Sequence, residues 1–284
     1  MNYGDKGIKQ KKKLLNSATT KLGTKLGIFF IKLALVGIIA LVVAGSCLVF
    51  GSFQGIIENA PDIASINVSP EGFATKIYDA DNNEIQTLSS AGANRTYVTI
   101  DQIPLNLQHA FIAIEDERFY EHNGIDMKGI LRAASITLSS GHMSQGASTI
   151  TQQLIKNNVF NAYNESDIEK IKRKVQEQYL AIKLETVMSK KSILENYLNT
   201  INLGNGYYGV QAAAKGYFNK DVSELSLSEC AVIASITKSP TGLNPIRHAD
   251  RNRDRQSQVL LNMKDQGYIS QAEYDDALTD DVYA

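Results

Sequence analysis

Cysteine and histidine are scarce in this 284-residue chain, which contains two cysteines and four histidines. Cys47 lies in an apolar run and Cys230 in a predicted helix of a later region, so no disulfide is expected between them. The histidines show no metal-ligand spacing. The sequence therefore excludes a disulfide-stapled scaffold and does not support a structural zinc site.

An excess of charge of either sign is also missing, since 29 basic and 30 acidic residues leave a formal net charge of -1. Basic residues are nevertheless concentrated at the start of the chain, where Asp5 is the only acid among seven lysines. These are Lys6, Lys9, Lys11, Lys12, Lys13, Lys21 and Lys25. The basic character is thus local, and no nucleic-acid partner is predicted.

A long apolar run follows this basic segment. Gly27–Phe50 is interrupted by a single charge, Lys32, and is long enough to cross about 30 Å of hydrocarbon as a helix. The preceding lysines place the N-terminus in the cytoplasm and the later residues outside. A cleaved signal peptide is the alternative, with a faint lipoprotein-like site at Ala44–Cys47, but its apolar region is normally about 7–15 residues long. The sequence favours an uncleaved, single-pass anchor in the cytoplasmic membrane.

Four segments follow from the residue patterns. They are a basic cytoplasmic tail (1–26), a transmembrane helix (27–50), a linker with a small β element (51–100) and a main domain (101–280). Alternation predicts strands at 74–78, 84–88 and 95–99, with a polar turn at 79–83.

Beyond Pro104 the pattern turns helical. Leu107, Ala110, Phe111 and Ile114 have the spacing of one buried helix face. The rest of the chain is predicted to be mainly helical. Further helix starts are indicated by Ser189, Ser226 and Ser270.

The densest cluster of reactive side chains comes directly after this apolar face, at Glu115–Gly124. Glu115 follows Ile114, so its carboxyl group should lie at the edge of the core. A carboxyl group in such a place can act as an acid or base, a role worth about 10²–10⁴ in rate. An acidic helix end is more often a solvated surface, and this segment alone does not decide the matter.

Two later segments suit an anionic sugar substrate. Gly146–Asn157 is rich in hydroxyl and amide groups, and Lys156 lies on the same helix face as Gln152. In the basic stretch 170–178, Arg173 shares a face with Glu177, a positive field that a diphosphate leaving group would need. The alternatives are an ordinary helix cap and a surface ion pair worth a few tenths of a kcal/mol.

In this order, the segments resemble the glycosyltransferase family shared by bifunctional penicillin-binding proteins and monofunctional peptidoglycan glycosyltransferases. Glu-Asp-x-x-Phe-x-x-His-x-Gly is matched by Glu115, Asp116, Phe119, His122 and Gly124. Gly-x-Ser-Thr-x-Thr-Gln-Gln is matched by Gly146–Gln153, Arg-Lys-x-x-Glu by Arg173, Lys174 and Glu177, and Ile-Leu-Glu-x-Tyr-Leu-Asn by Ile193–Asn199. The resemblance covers roughly residues 70–275.

The resemblance implies a mainly α, lysozyme-like, two-lobed domain whose smaller lobe dips into the membrane. Residues 139–144 and 159–166 are expected to border that lobe. It also implies that the enzyme polymerises lipid II onto a lipid-linked glycan strand. Glu115 would deprotonate the sugar 4-hydroxyl group, which attacks the anomeric carbon with inversion and expels undecaprenyl diphosphate.

The same resemblance assigns roles to the other motif residues. Lys156, Arg173 and Lys174 would stabilise the diphosphate, and Glu177 would be a second catalytic carboxylate, acting directly or through a divalent cation such as Mg²⁺ or Mn²⁺. No tightly bound cofactor is expected. The further substrate-binding candidates are Asp116, Arg118, His122, Ser148, Thr149, Gln152 and Gln153. Glu195 and Asn199 are expected to be largely structural.

Several alternatives compete with this assignment. A lysozyme-like fold also suits glycan hydrolysis or lytic cleavage, although a neutral leaving group needs no basic cluster, and a non-catalytic scaffold could keep the fold. Ser235 and Lys238 match Ser-x-x-Lys of transpeptidases, but no Lys-Thr-Gly follows, so no transpeptidase domain is predicted within the chain. The end of the sequence favours the front part of a bifunctional enzyme over a complete monofunctional one. Other cell wall synthesis proteins are possible partners.

Overall fold

The computed structural model describes residues 4–70, 75–81, 84–88, 94–140, 146–160 and 164–283. The chain divides into two compact units, Met1–Asn59 and Ala60–Ala284. Of the positions assigned from the sequence, 74, 82–83, 141–144 and 161–163 lie outside the described residues.

The first unit consists of two helices, α1 (Asp5–Leu15) and α2 (Ala18–Glu58). Helix α2 begins where the Ser17 side chain accepts a hydrogen bond from the backbone N–H of Thr20. The predicted apolar span, 27–50, lies inside α2, and the helix is longer at both ends because helical hydrogen bonding continues through polar residues. Helix α2 is long and apolar enough to cross a membrane, and the apolar window is not buried within the chain.

The second unit is mainly helical. Its strands are β1 (Thr75–Tyr78) and β2 (Glu84–Leu88), and its helices are α3 (Leu105–Glu115), α4 (Met127–Ser140), α5 (Ile150–Val159), α6 (Asp167–Val187), α7 (Lys190–Thr200), α8 (Val210–Phe218), α9 (Leu227–Ser235), α10 (Ala249–Asp265) and α11 (Gln271–Thr279). Short 3₁₀ turns lie at Ile63–Ser65, Ile100–Gln102, Val222–Glu224 and Ile236–Lys238.

The two strands pair antiparallel, with Thr75 opposite Leu88 and a register shift between Ile77 and Tyr78. The third predicted strand, at 95–99, is wrong, since this segment has no regular secondary structure. The side chain of Asn199 accepts a hydrogen bond from the Val98 N–H at 2.9 Å and donates one to the Val98 carbonyl at 2.8 Å. A side chain of α7 thus takes the place of a partner strand for this residue.

The core of the second unit surrounds α3. Leu107, Ala110 and Phe111 are fully buried, as their spacing predicted, whereas Ile114, the fourth residue of the predicted face, is partly buried against the core. Helix α3 packs against α9 and α10, while α5 packs against α6 and α7. Phe111 meets the fully buried Tyr197 edge to face, with ring centroids 6.0 Å apart. Because the body of α3 is enclosed in this way, its C-terminal residue, Glu115, has a fixed position.

The predicted helix starts are confirmed. Ser189, Ser226 and Ser270 are the N-caps of α7, α9 and α11, and the last two form capping boxes. Each serine side chain accepts the N–H of the residue three positions later, which satisfies a donor that the helix leaves unpaired.

Candidate active site

Glu115 ends α3 and is partly exposed. Its Oε2 accepts a hydrogen bond from Gln153 Nε2 at 2.7 Å, and its Oε1 accepts one from Thr237 Oγ1 at 2.5 Å. Both partners are neutral, and each carboxylate oxygen keeps a further lone pair. Among the residues that the structure describes, Glu115 is therefore held in place without an ion pair at either oxygen.

Tyr197 fixes the orientation of the Gln153 side-chain amide through its oxygen. The Tyr197 hydroxyl group donates to Gln153 Oε1 at 3.2 Å. Burial, with the nearby Glu115 and Asp116 charges, raises the pKa of Tyr197 well above its ordinary value, so the phenol keeps its proton and remains a donor. Since the amide oxygen of Gln153 faces Tyr197, its NH₂ group faces Glu115.

Thr237, the other partner of Glu115, was not singled out from the sequence. It lies in the turn Ile236–Lys238, inside the Ser-x-x-Lys pattern. Ser235 of that pattern is fully buried and donates to the Ala231 carbonyl at 2.7 Å. Its hydroxyl group is therefore not accessible to a substrate as a nucleophile. No local sequence signal distinguishes Thr237, because its position beside Glu115 depends on the packing of α9 against α3.

Asp116 connects three parts of the candidate site. It is buried, and its carboxylate lies 2.9 and 3.0 Å from His122 Nε2 and accepts the backbone N–H of Ile150 at 2.9 Å. The last contact joins the end of α3 to the beginning of α5. Asp116, the residue after Glu115, is thus held by His122 and by the first residue of α5.

Arg118 also forms hydrogen bonds and ion pairs with neighbouring side chains. Its guanidinium group donates to both carboxylate oxygens of Asp126, at 3.2 and 2.6 Å, and to Glu117 at 3.0 Å. The hydrogen bond to Asp126 raises the pKa of Arg118. Arg118 lines a cleft together with Glu115 and Ser148.

Thr149 and Gln152 stabilise the backbone of the Glu115 motif. Both side chains are buried, and they donate to the Gly124 carbonyl at 2.8 and 3.2 Å, respectively. Gly124 has a φ of 86°, and a Cβ atom there would lie 2.6 Å from the Ala181 carbonyl. A glycine is needed at this position because both the left-handed backbone and the close approach exclude a side chain.

A cluster of opposite charges lies on α6. Glu177 is fully buried, and its carboxylate is ion-paired with Arg173 and, at 2.7 Å, with Lys174. Arg173 also donates to Glu165 at 2.9 Å, and Lys174 donates to Ser148 at 3.0 Å. The contact with Ser148 connects this cluster to the cleft that Glu115 lines.

Lys156, on α5, adds a further positive charge. Among the described residues its ammonium group makes no hydrogen bond or ion pair, although the charges of Glu115, Glu177, Arg173 and Lys174 all act on it. Burial, reinforced by Lys174 and Arg173, lowers the pKa of Lys156, while Glu177 and Glu115 oppose this shift. A poorly solvated and unpaired ammonium group is suited to bind an anion.

Of the two alternatives for Glu177, direct action or action through a divalent cation, its surroundings do not fit the second. Both carboxylate oxygens are already paired with cationic side chains. The part of the chain that the structure describes contains no group of three or more histidine, cysteine, aspartate or glutamate residues that could hold a metal ion. A cation at Glu177 would have to displace a buried ion pair.

Arg255, on α10, is another residue that sequence reasoning missed. Its Nε is buried without a hydrogen-bond partner in the described part of the chain. Burial lowers the pKa of Arg255, and the charge of Glu115 partly offsets this shift. Arg255 therefore contributes a positive potential near Glu115, and within the described ranges it makes no ion pair with a carboxylate.

Glu195 and Asn199 have the structural role that was expected. Glu195 accepts hydrogen bonds from the Tyr97 hydroxyl group and, at 2.6 Å, from the Ile100 N–H. The hydrogen bond from Tyr97 raises the pKa of this phenol to about 12. With the Asn199 contacts to Val98, these bonds hold residues 97–100 against α7.

Comparison with known proteins places these motifs in a family. Residues 81–264 match the family model described as Transglycosylase. The match covers more than half of the sequence, and the chain belongs to this family.

Individual relatives agree with this assignment. The chain is 43% identical to penicillin-binding protein 1A of Escherichia coli over 255 residues, covering 90% of this chain and 29% of that protein. It is 45% identical to penicillin-binding protein 1F of Bacillus subtilis over 200 residues, covering 70% of this chain and 27% of that protein. The chain thus spans less than a third of the length of these curated relatives. The crystal structure of penicillin-binding protein 1A from Haemophilus influenzae matches with a TM-score of 0.43 and 28% identity, covering 75% of this chain and 21% of that one.

Proposed function

We propose that this chain is a peptidoglycan glycosyltransferase that polymerises lipid II into glycan strands for the bacterial cell wall. The observation that carries the proposal is the pairing of two sites: a carboxylate held by neutral donors at Glu115, and a cationic cluster formed by Lys156, Arg173 and Lys174. The first suits a general base, and the second suits a diphosphate leaving group. Membership of the Transglycosylase family supports the same assignment.

In the proposed reaction, Glu115 takes the proton of the 4-hydroxyl group of an incoming lipid II. The sugar oxygen forms a bond to the anomeric carbon of the lipid-linked strand, and the bond from that carbon to the diphosphate oxygen breaks with inversion. Negative charge accumulates on the departing undecaprenyl diphosphate. Lys156, Arg173 and Lys174 stabilise this charge where it develops.

The remaining motif residues divide by what they contact. Ser148 lines the cleft and Gln153 donates to Glu115, and both are proposed to position substrate oxygens. Thr149 and Gln152 are buried against Gly124, so they act on the backbone of the Glu115 motif. Glu177 is proposed to be a positioning residue, because it is buried against Arg173 and Lys174.

The proposal includes the location of the enzyme. Helix α2 is proposed to be a single-pass anchor in the cytoplasmic membrane, with the lysine-rich N-terminus in the cytoplasm and the catalytic domain outside. The domain is proposed to be lysozyme-like and two-lobed. Helix α4 supports a membrane-facing smaller lobe, since Leu131 and Leu138 are 67% and 87% exposed.

Polymerisation of lipid II by the detergent-solubilised chain tests the proposal. We expect lysozyme-sensitive glycan polymer from the native chain, and a loss of about 10²–10⁴-fold in rate with Glu115→Gln, which keeps the shape of the side chain but removes the base. Glu121→Gln is the matched control, because this carboxylate belongs to the same motif but is 64% exposed. A phosphoglycolipid mimic of the transition state should block the reaction. Absence of polymer from a folded native chain, or digestion of preformed glycan, would overturn the assignment.

A further inference from the structure

We propose that Thr237 is a positioning residue for Glu115, whose hydroxyl group serves the carboxyl group both before and after proton transfer. It donates a hydrogen bond to the carboxylate, and it accepts one from the carboxylic acid. This inference rests on the proposed function, in which Glu115 takes a proton in every catalytic cycle.

The position of the Thr237 hydroxyl group allows this exchange. Its Oγ1 is 2.5 Å from Glu115 Oε1 and 3.0 Å from the Ala234 carbonyl oxygen. A hydroxyl group carries one hydrogen and two lone pairs, so it can donate to only one of these oxygens at a time. While Glu115 is ionised, the charge-assisted bond to the carboxylate is the stronger choice. Once Glu115 is protonated, the hydrogen can turn to Ala234, and Oγ1 becomes an acceptor.

Gln153 cannot exchange roles in this way. Its NH₂ group only donates to Glu115 Oε2, because the amide oxygen already accepts from Tyr197. Oε2 is therefore the oxygen that remains an acceptor in both protonation states. The acidic proton is best accommodated on Oε1, where Thr237 can accept it. In the balanced step the sugar O–H bond breaks, an Oε1–H bond forms, and the freed electron pair makes the new glycosidic bond. At the same time the bond between the anomeric carbon and the diphosphate oxygen breaks, and undecaprenyl diphosphate leaves with the electron pair of that bond.

The surrounding core keeps Thr237 in place. The preceding residues, Ser235 and Ile236, are fully buried, and α9 packs against α3. Both ends of the Thr237–Glu115 hydrogen bond thus belong to packed elements. Little conformational entropy has to be lost to form the contact, since neither backbone is free to move away.

Replacing Thr237 with the isosteric valine tests the proposal. A hydrogen bond to a charged group is stronger than one to a neutral group, so the Thr237 hydroxyl group stabilises the carboxylate of Glu115 more than the carboxylic acid. Its loss should therefore move the acid limb of the pH–rate profile upward by about one pH unit. We expect kcat to fall about tenfold at the pH optimum. KM should change little, because the hydrogen bond acts in the reaction step and not in substrate binding. Thr237→Ser keeps the hydroxyl group and should leave the acid limb where it is.

The matched control is Thr186→Val. The Thr186 hydroxyl group donates at 2.7 Å to the carbonyl of Lys183, which is three residues earlier, as Ala234 is to Thr237. Thr186 is exposed and does not contact Glu115. Its loss should leave the rate profile unchanged. Thr237→Ala provides a second deletion of the hydroxyl group if valine disturbs folding, and it must give the same upward shift.

A measurement independent of turnover separates this inference from the proposed function. The Glu115 carboxyl group of the full chain in detergent micelles can be titrated by ¹³C NMR and assigned with Glu115→Gln. An upward shift in Thr237→Val and Thr237→Ala, but not in Thr237→Ser, supports the role of the hydroxyl group even if the chain makes no polymer. Identical titration of Glu115 in the native chain and in the three Thr237 variants would overturn this role even if polymerisation is confirmed.

Discussion

The two glutamates of the candidate site, Glu115 and Glu177, differ in what surrounds their carboxyl groups. Glu115 is partly exposed and receives hydrogen bonds from an amide and a hydroxyl group. Glu177 is fully buried and is paired with two cations, Arg173 and Lys174. In the part of the chain that the structure describes, the charges of Lys156 and Arg255 act on Glu115 without an ion-pair contact.

This difference supports the separate roles that are proposed for them. Neutral partners such as those of Glu115 can accommodate both a carboxylate and a carboxylic acid, so proton transfer does not disrupt the site. Two cations in contact, as at Glu177, are satisfied only by a carboxylate, and the ion pair then holds the cations in place. The same amino acid, glutamate, can thus suit the role of a general base or of a charge-positioning residue, depending on its neighbours.

The largest stability effect is expected for Glu177→Gln. The substitution leaves Arg173 and Lys174 beside a buried neutral amide, and removing one partner of a buried ion pair costs about 3–5 kcal/mol. Chemical denaturation should show this loss in the free energy of unfolding, together with a loss of polymerisation. Asp167→Asn is the control, since the Asp167–Lys170 pair on the same helix is exposed and its loss should change little. Equal stability of the two variants would break the comparison.

Lys156→Met should separate activity from stability. Burial lowers the pKa of Lys156, so the folded state disfavours its charge, and removing that charge should raise the Tm slightly. Polymerisation should fall about 10²-fold because a donor to the leaving diphosphate is lost. The exposed Lys172→Met provides the control. A variant that is both less stable and fully active would contradict the role given to Lys156.

The same lowered pKa predicts the alkaline limb of the native enzyme. Lys156 carries its charge below its folded pKa and loses it as the pH rises through that value, which is lower than for an ordinary lysine. Polymerisation should therefore decline at a lower pH than the titration of a solvent-exposed lysine would give. In Lys156→Met this limb should be absent from the remaining activity.

Arg255→Met tests the influence of charge acting on Glu115 from a distance. Loss of a positive potential disfavours the carboxylate, so the acid limb should move upward, but by less than about one pH unit because no hydrogen bond is lost. The exposed Arg251→Met on the same helix serves as the reference. A larger shift than that of Thr237→Val would mean that charge, and not the neutral donors, dominates at Glu115.

The smallest effect is expected for the stability of Glu115→Gln. The new amide can accept from Gln153 with its oxygen and donate to Thr237 with its nitrogen, which reproduces the pattern of the protonated acid. The free energy of unfolding should change by less than about 1 kcal/mol, in contrast to Glu177→Gln. A thermal melt of both variants checks this. A loss as large as that of Glu177→Gln would show that the surroundings of Glu115 require a charge.

Much of the helical framework was predictable from local patterns. The periodic face of α3 and the serine caps of α7, α9 and α11 involve residues three to seven positions apart, and the structure confirms them. The strand predicted at 95–99 failed because alternation cannot reveal that Asn199 supplies the hydrogen bonds of Val98. That contact joins residues 101 positions apart.

The motif residues of the candidate site were also found in the sequence, but the partners that their side chains contact were not. Thr149 and Gln152 were predicted to bind substrate, and the structure adds that both are buried and donate to the Gly124 carbonyl. Thr237 is separated from Glu115 by 122 positions and carries no local signal. Such partners are set by helix packing, which the sequence of either segment alone does not specify.

The sequence by itself determined the apolar helix, the mainly helical domain and the family motifs, because these depend on composition and on short, regular spacings. Only the tertiary structure decided that Glu177 is fully buried, and that Glu115 receives its hydrogen bonds from Gln153 and Thr237. The reason is physical: the behaviour of a carboxyl group depends on burial and on partners within a few ångströms, and folding brings those partners from distant segments of the chain.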